Sequence, residues 1–139
     1  MAAKGLSGGL IAAFRGSGDT LRVYHDGRLV FSSVKDRLAP LIEYIGSLAH
    51  SFQGVCILDR VVGNAAALLL IRAACREVFS ETGSEHAAAT LSAAGIAFRF
   101  DKTVPFILND SADGMCPMEK LSLGKTPDEL MICLTSASR

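Results

Sequence analysis

The 139-residue chain lacks an excess of either charge. Lys and Arg total 14, as do Asp and Glu, and the basic residues are scattered singly among the acids. A protein that binds nucleic acid normally presents a basic face or clustered Lys and Arg residues. We therefore expect no nucleic-acid partner.

The chain also lacks a long apolar run and a spaced set of cysteines. Its longest strongly apolar run, residues 65–71, is far shorter than the about 20 residues that a membrane-spanning helix needs. The four cysteines, at positions 56, 75, 116 and 133, have neither the close pairing of a zinc site nor the density of a disulfide scaffold. We expect a cytoplasmic protein with no membrane association, no metal and no cofactor.

What the sequence does contain is enough apolar material for one core. Half of the residues are hydrophobic and a fifth are charged, which is typical of a compact protein and not of a disordered one. A chain of this length buries a single core but not two. Residues 1–139 are therefore predicted to form one domain.

The first local pattern is a β-hairpin. Two short runs of β-forming residues, at 21–25 and 28–32, are separated by Asp26-Gly27. This dipeptide suits a type I′ turn, because both central residues of that turn need positive φ. The hairpin contributes an antiparallel pair of strands.

An amphipathic helix is predicted next. Apolar residues recur at helical spacing from Leu38 to Phe52. Asp36 is placed to cap the start of this helix, and Gly54 is placed to end it. We expect the helix to cover one face of a sheet.

The remaining chain alternates between strands and helices. The strands are predicted at 55–58, 76–79 and 96–100, and the helices at 65–74, from Ser84 to Gly95, and from near Cys116-Pro117 and Thr126-Pro127. Strands that alternate with helices form βαβ units, so the later strands should be parallel. The whole order predicts a three-layer α/β/α sandwich around a mixed five-stranded sheet.

This order of elements is the one found in the cytidine deaminase-like fold. The motif Asp59-Arg60-x-x-Gly63-x-Ala65-Ala66-Ala67, together with Asn109 and Cys116-Pro117-x-Glu119, points to one family within that fold. With these residues the chain resembles the DUF1893 family, an uncharacterised bacterial and archaeal domain-of-unknown-function family assigned to that fold. The resemblance extends from about Phe14 to Leu134, and through it Asn109 becomes a candidate ligand-binding residue.

The zinc motifs of that fold are missing. Zinc deaminases need H-x-E at the start of the helix after the hairpin and P-C-x-x-C at the start of the next helix. The first place holds Val34-Lys35-Asp36-Arg37 and the second holds residues 60–64, without a His or Cys in either. The sequence therefore excludes zinc-dependent deamination.

Ligands of α/β sheets collect at the carboxyl ends of parallel strands, beside helix N-termini. The first loop selected by this rule is Asp59 to Asn64, which includes Arg60 and Gly63. Arg60 could bind a phosphate or carboxylate through two parallel hydrogen bonds, and Gly63 would allow the backbone to approach a ligand closely. Asp59 and Asn64 are the other candidate ligand-binding residues of this loop, and Asp59 is also a candidate catalytic residue. The structural alternative is that Asp59 caps the helix while Gly63 lets helix and sheet pack closely.

The second loop contains Ser80, Glu81, Ser84 and His86. The three residues Ser80, Glu81 and Ser84 are candidate ligand-binding residues, although Ser84 as a helix N-cap needs no further function. His86 is a candidate general acid or base because its pKa normally lies near neutrality. A lone His in the first turn of a helix is also typical of a solvated or capping residue.

The third loop leads into Cys116-Pro117-Met118-Glu119. A thiol at an N-cap faces the positive end of the helix, which favours the thiolate, so Cys116 is a candidate nucleophile. Glu119 is a candidate ligand-binding residue. The structural alternative is a helix start in which Cys116 replaces serine and Glu119 completes a capping box.

The leading hypothesis is a small-molecule-binding protein with a metal-free deaminase-like fold and an anionic ligand such as a nucleotide or its phosphate portion. One alternative is a metal-independent enzyme that acts on a nucleotide-like or amide substrate through Cys116, Asp59 or His86. Another is a regulatory or interaction module. A homodimer is a further expectation.

Overall fold

A computed structural model describes residues 6–48, 51–109 and 111–137. This part of the chain contains six helices and five strands, in the order α1 (Gly8–Arg15), β1 (Leu21–His25), β2 (Arg28–Ser33), α2 (Ala39–Ser47), β3 (Val55–Val62), α3 (Asn64–Arg72), β4 (Cys75–Ser84), α4 (Glu85–Ala93), β5 (Ala97–Val104), α5 (Pro117–Ser122) and α6 (Pro127–Ala137). Each predicted helix and strand is present, in the predicted order.

The five strands form one mixed sheet in the order β2-β1-β3-β4-β5. β1 pairs antiparallel with β2 and with β3, whereas β3, β4 and β5 are parallel. The turn between β1 and β2 has positive φ at Asp26 (53°) and Gly27 (83°), as the predicted hairpin requires. The prediction of a mixed five-stranded sheet is confirmed.

Successive side chains of β3 point to opposite faces, and both faces are buried. Val55 and Ile57 belong to the larger cluster, which also contains buried residues of α2, α3, α4 and α6. Cys56 and Leu58 belong to the smaller cluster, to which α1 contributes Ile11 and Phe14. The first half of β3 therefore lies between two covered faces.

The predicted start of α2 was wrong. Its N-cap position is held by Leu38, and no side chain caps it. The Asp36 backbone carbonyl, not its side chain, accepts a hydrogen bond from the Ala39 N–H. Arg37, between them, has positive φ (61°), so the chain turns sharply before the helix begins. The helix ends at Ser47, before the predicted end at Phe52, and residues 49–50 lie outside the described part.

Each parallel strand is longer than its apolar run predicted. β3 extends to Val62, β4 to Ser84 and β5 to Val104. The extensions pair with one another, as Val62 pairs with Gly83 and Ser84 pairs with Val104. Hydrogen bonding to a neighbouring strand keeps these polar residues in a β-conformation, although their own β-propensity is too low to predict it. None of the helices in the described ranges could span a membrane.

Candidate functional site

A cleft of about 470 Å³ opens where β3 leads into α3. It is formed by Thr20, just before β1, and by three longer segments: the segment before α2, the β3–α3 junction, and the C-terminal segment that runs from β5 into α5. Its lining consists of Thr20, Asp36, Arg37, Leu38, Asp59, Arg60, Val61, Gly63, Ala65, Ala66, Ile107, Leu108, Cys116, Met118 and Glu119. Three segments far apart in sequence thus meet at one end of the sheet.

Asp59 is the buried acid of this cleft. Its residue is only 7% exposed, and its Oδ1 accepts a hydrogen bond from the Arg60 backbone N–H at 2.8 Å. Burial raises the pKa of Asp59 to about 7, against the opposing effects of the Arg60 and Val61 N–H groups and then of the Arg60 charge. A carboxyl group with this pKa can accept an N–H from a ligand or exchange a proton near neutral pH.

Glu119 is buried beside the start of α3. It is 2% exposed, and three groups donate to its carboxylate. The Asn64 N–H and the Ser84 hydroxyl donate to Oε1, and the Ile107 N–H donates to Oε2 at 2.6 Å. Glu119 therefore caps α3 from the C-terminal segment, because a carboxylate satisfies a free N–H at the positive helix end.

The capping box of α5, which was the structural alternative for Glu119, does not form. Glu119 holds the expected position three residues after Cys116, but its carboxylate bonds to groups outside α5. The Cys116 N–H instead donates to the Ile107 carbonyl at 2.7 Å. The local pattern identified the residue and not its partners.

Gly63 is required by this arrangement. A Cβ atom at this position would lie 2.9 Å from Ile107 Cγ1 and 3.2 Å from Glu119 Oε1. The first distance is shorter than real Cβ contacts allow. Close packing of the C-terminal segment therefore explains the glycine at position 63, and its φ of −90° is open to any residue.

Arg60 extends across the α1 side of the sheet. Its guanidinium donates to the carbonyl oxygens of Phe14, Ser17 and Asp19 and to the Glu81 carboxylate, at 2.8–3.0 Å. It also lies 4.1 Å from the centre of the Phe14 ring. These contacts fix the end of α1 to β3, which is a structural role that the ligand-binding prediction did not include.

Asn64 and Ser84 are held inside the chain. The Asn64 side chain donates to Ser122 Oγ at 3.0 Å and accepts from the Thr90 hydroxyl. Ser84 caps α4 as predicted, since its Oγ accepts from the Ala87 N–H at 3.0 Å. These two candidates surround Glu119 and support it, while the cleft lining includes neither of them.

The other candidates of the second and third loops lie apart from the cleft lining. Ser80 is fully buried, and its hydroxyl donates to the Thr82 carbonyl. His86 is half-buried in the first turn of α4. Asn109 closes a turn, in which its side-chain amide donates to Asp113 Oδ1 at 2.8 Å.

Cys116 does line the cleft. It is a half-buried free thiol at the N-cap of α5, and its side chain makes no capping hydrogen bond. Among the residues predicted from the sequence, the cleft lining brings together Asp59, Arg60, Gly63, Cys116 and Glu119.

Sequence reasoning missed the part of the lining that Thr20, Asp36 and Arg37 form. Arg37 is exposed and has a φ of 61°, which is uncommon for a long side chain and is typical of strained residues at functional sites. A signal was available, because Val34 to Arg37 already stood out as the place of the first missing zinc motif. Within the described ranges, no group of three or more His, Cys, Asp or Glu residues could hold a metal ion.

These features define a mixed α/β fold whose five-stranded sheet carries a cleft at the carboxyl end of its central strand. The chain belongs to the DUF1893 family, because the family model described as "Domain of unknown function (DUF1893)" matches residues 13–134. The predicted family is confirmed.

A solved structure agrees with this assignment. The chain is similar to the crystal structure of a DUF1893 family protein from Thermotoga maritima, with 25% sequence identity and a TM-score of 0.84. The match covers 99% of this chain and 95% of that one. No protein of curated function matches the sequence significantly.

Proposed function

We propose that this chain is a small-molecule-binding protein and that its cleft takes a nucleoside- or nucleotide-like ligand. The observation that carries the proposal is Asp59, a buried carboxyl group that faces a cleft at the carboxyl end of a central strand. Buried polar groups in a well-formed cleft are the usual sign of a ligand site. The volume of about 470 Å³ is within the usual range for such sites.

The charged residues of the cleft suggest how the ligand is oriented in it. Glu119 already occupies the N-terminus of α3, so an anionic group has no reason to bind there. At the deep end, Asp59 suits an N–H donor such as the amino or imino group of a nucleobase. At the mouth, the exposed Arg37 suits a phosphate, which it can bind with two parallel hydrogen bonds.

We also infer a cytidine deaminase-like fold without the zinc chemistry. The order of elements supports it, and so does the position of the two segments where the zinc motifs would lie, because Asp36 and Arg37 from the first and Arg60 and Gly63 from the second line one cleft. Zinc sites of that fold use His and Cys ligands, and these positions offer neither. The residues therefore do not fit the metal.

Ligand binding can be tested by thermal denaturation with a panel of bases, nucleosides and nucleoside monophosphates. A ligand at about 100 times its dissociation constant stabilises the folded state by about 2.7 kcal/mol. We expect D59N to weaken the binding of every active compound by about tenfold or more, through loss of a hydrogen bond to a charged acceptor. The exposed turn residue Asp26 provides the matched control, D26N.

A second variant separates the two ends of the ligand. R37A should weaken the binding of nucleotides and leave the binding of the corresponding nucleosides unchanged, because only nucleotides carry the phosphate. If no compound shifts the transition at millimolar concentration, or if D59N and D26N bind equally well, the proposal is wrong.

A metal-independent enzyme is the second candidate, and one observation favours it. Asp59, with its pKa of about 7, and the free thiol of Cys116 line the same cleft. Covalent catalysis uses an acid–base group together with a nucleophile, and the cleft contains one candidate of each kind. The test is native alkylation: Cys116 should react faster than Cys133, which is also half-buried. Equal rates would remove Cys116 as the nucleophile.

A further inference from the structure

β5 is an edge of the sheet with an unusual degree of exposure. Within the described ranges it pairs with β4 alone. Six of its eight residues, 97–99 and 101–103, are exposed, and only Phe100 and Val104 are half-buried. An edge strand presents unpaired N–H and C=O groups, which can pair with another strand.

The side chains of β5 divide between the two faces in a regular way. Phe98 and Phe100 stack on one face with ring centres 4.9 Å apart, and Phe100 packs against the larger core cluster. Asp101 lies on the other face, where Nη1 and Nη2 of Arg15 donate to its two carboxylate oxygens. Arg99 shares that face because it is two residues from Asp101 in the same strand.

We propose that two copies of the chain associate through β5, pairing antiparallel around a two-fold axis at Phe100. In this register Arg99 of each copy faces Asp101 of the other, on the α1 side of the joined sheet. On the opposite side, Phe98 of each copy faces the aliphatic stem and ammonium of Lys102, and the two Phe100 residues face one another.

The charges select this register over its neighbours. A two-fold axis at Arg99 would place the two Arg99 side chains opposite each other, and an axis at Asp101 would do the same for the two aspartates. Like charges directly opposite in a sheet are destabilising, whereas opposite charges stabilise the pair. β5 is thus complementary to itself in one register.

The surface is separate from the cleft, since no residue of β5 lines it. The homodimer expected from the sequence thereby gains a specific interface, which is independent of any ligand. Association through one edge strand buries a small area, so the dimer should form with rising concentration and not be permanent.

The test uses two oppositely charged variants of the full chain. In R99D, the introduced carboxylate of one copy would face Asp101 of the other, and in D101R two guanidinium groups would meet. Each variant alone should therefore be monomeric. In an equimolar mixture both cross-strand pairs have opposite charges, so a heterodimer should form. Sedimentation velocity between about 10 µM and 1 mM covers the range expected for weak association.

Folding of the variants is controlled by circular dichroism and by the thermal transition. Arg99 forms no ion pair within the described part of the chain, so R99D should fold normally. D101R loses the exposed contact with Arg15. If D101R does not fold, R99D mixed with D101N provides the second comparison, because that pair still lacks like charges between its strands. Recovery of a dimer in either mixture supports the proposal.

Three outcomes would overturn the proposal. The first is a wild-type chain that stays monomeric at the highest concentration. The second is an R99D variant that dimerises as well as the wild type, which would assign the contact to another surface. The third is a mixture of folded R99D and D101R that contains only monomers.

Discussion

Replacing Glu119 by Ala is predicted to destabilise the fold strongly. The change removes a buried carboxylate and leaves three donors without partners: the N–H groups of Asn64 and Ile107 and the hydroxyl of Ser84. Hydrogen bonds to charged groups contribute about 1.5–3 kcal/mol each, and neighbouring bonds are not additive. We expect a loss of about 4 kcal/mol, from a total of roughly 7–20 kcal/mol for a domain of this length.

The isosteric change to Gln gives a graded result. Its amide oxygen can take the place of Oε1 and keep the bonds from Asn64 and Ser84, but its NH2 group then faces the Ile107 N–H. One bond is lost, so E119Q should cost about 2 kcal/mol, half the cost of E119A.

Urea unfolding at pH 7 measures both losses, with an unchanged m-value as the check that the two-state description holds. The control is E85A, since Glu85 is an exposed acid in the first turn of α4 and should change the stability by at most about 0.5 kcal/mol. A loss below about 1 kcal/mol for E119A would contradict the role of Glu119 as the cap of α3, because the three donors would then have other partners.

The remaining predictions concern buried polar groups and close packing. Within the described part of the chain the buried Tyr44 hydroxyl has no hydrogen-bond partner, so Y44F should stabilise the protein by about 1 kcal/mol in thermal unfolding. The folded-state pKa of Asp59, about 7 against an ordinary 3.8, means that the folded form holds its proton longer, so wild-type stability should fall by about 4 kcal/mol as the pH rises from 4 to 8. D59N should lack this fall, and a parallel pH profile for both proteins would contradict the pKa. G83A should cost about 1–3 kcal/mol because its Cβ would overlap the Phe100 ring, whereas G46A, in open space within α2, should gain about 0.5–1 kcal/mol in the same urea assay.

Local signals in the sequence predicted the elements that depend on local physics. The Asp26-Gly27 turn and the Ser84 cap follow from the backbone conformation and hydrogen-bonding capacity of one or two residues. The prediction of the start of α2 failed because two local effects compete there. Asp36 offers a cap, but Arg37 turns the chain with positive φ and moves the start to Leu38.

The residues of the candidate site were predictable only in part, and the hydrogen-bond partners of the predicted residues were not predictable. Asp59 and Cys116 were selected because they follow a strand or begin a helix, and both line the cleft. Arg60 and Glu119 were selected for the same reason. Yet the carbonyl groups that accept from Arg60 lie 41–46 residues away in sequence, and the Asn64 N–H that donates to Glu119 lies 55 residues away. Pairings at such distances in sequence depend on the tertiary fold, about which local patterns carry no information.

The cap on α3 also affects the order in which the protein can fold during synthesis. The Asn64 N–H is capped by the carboxylate of Glu119, which is translated 55 residues later, after all five strands. Domains generally fold as units, and long-range contacts form late because their loop entropy must be overcome first. A nascent chain that ends before residue 119 would hold an uncapped central helix, so we expect the domain to reach its final state only after its last two helices have left the ribosome.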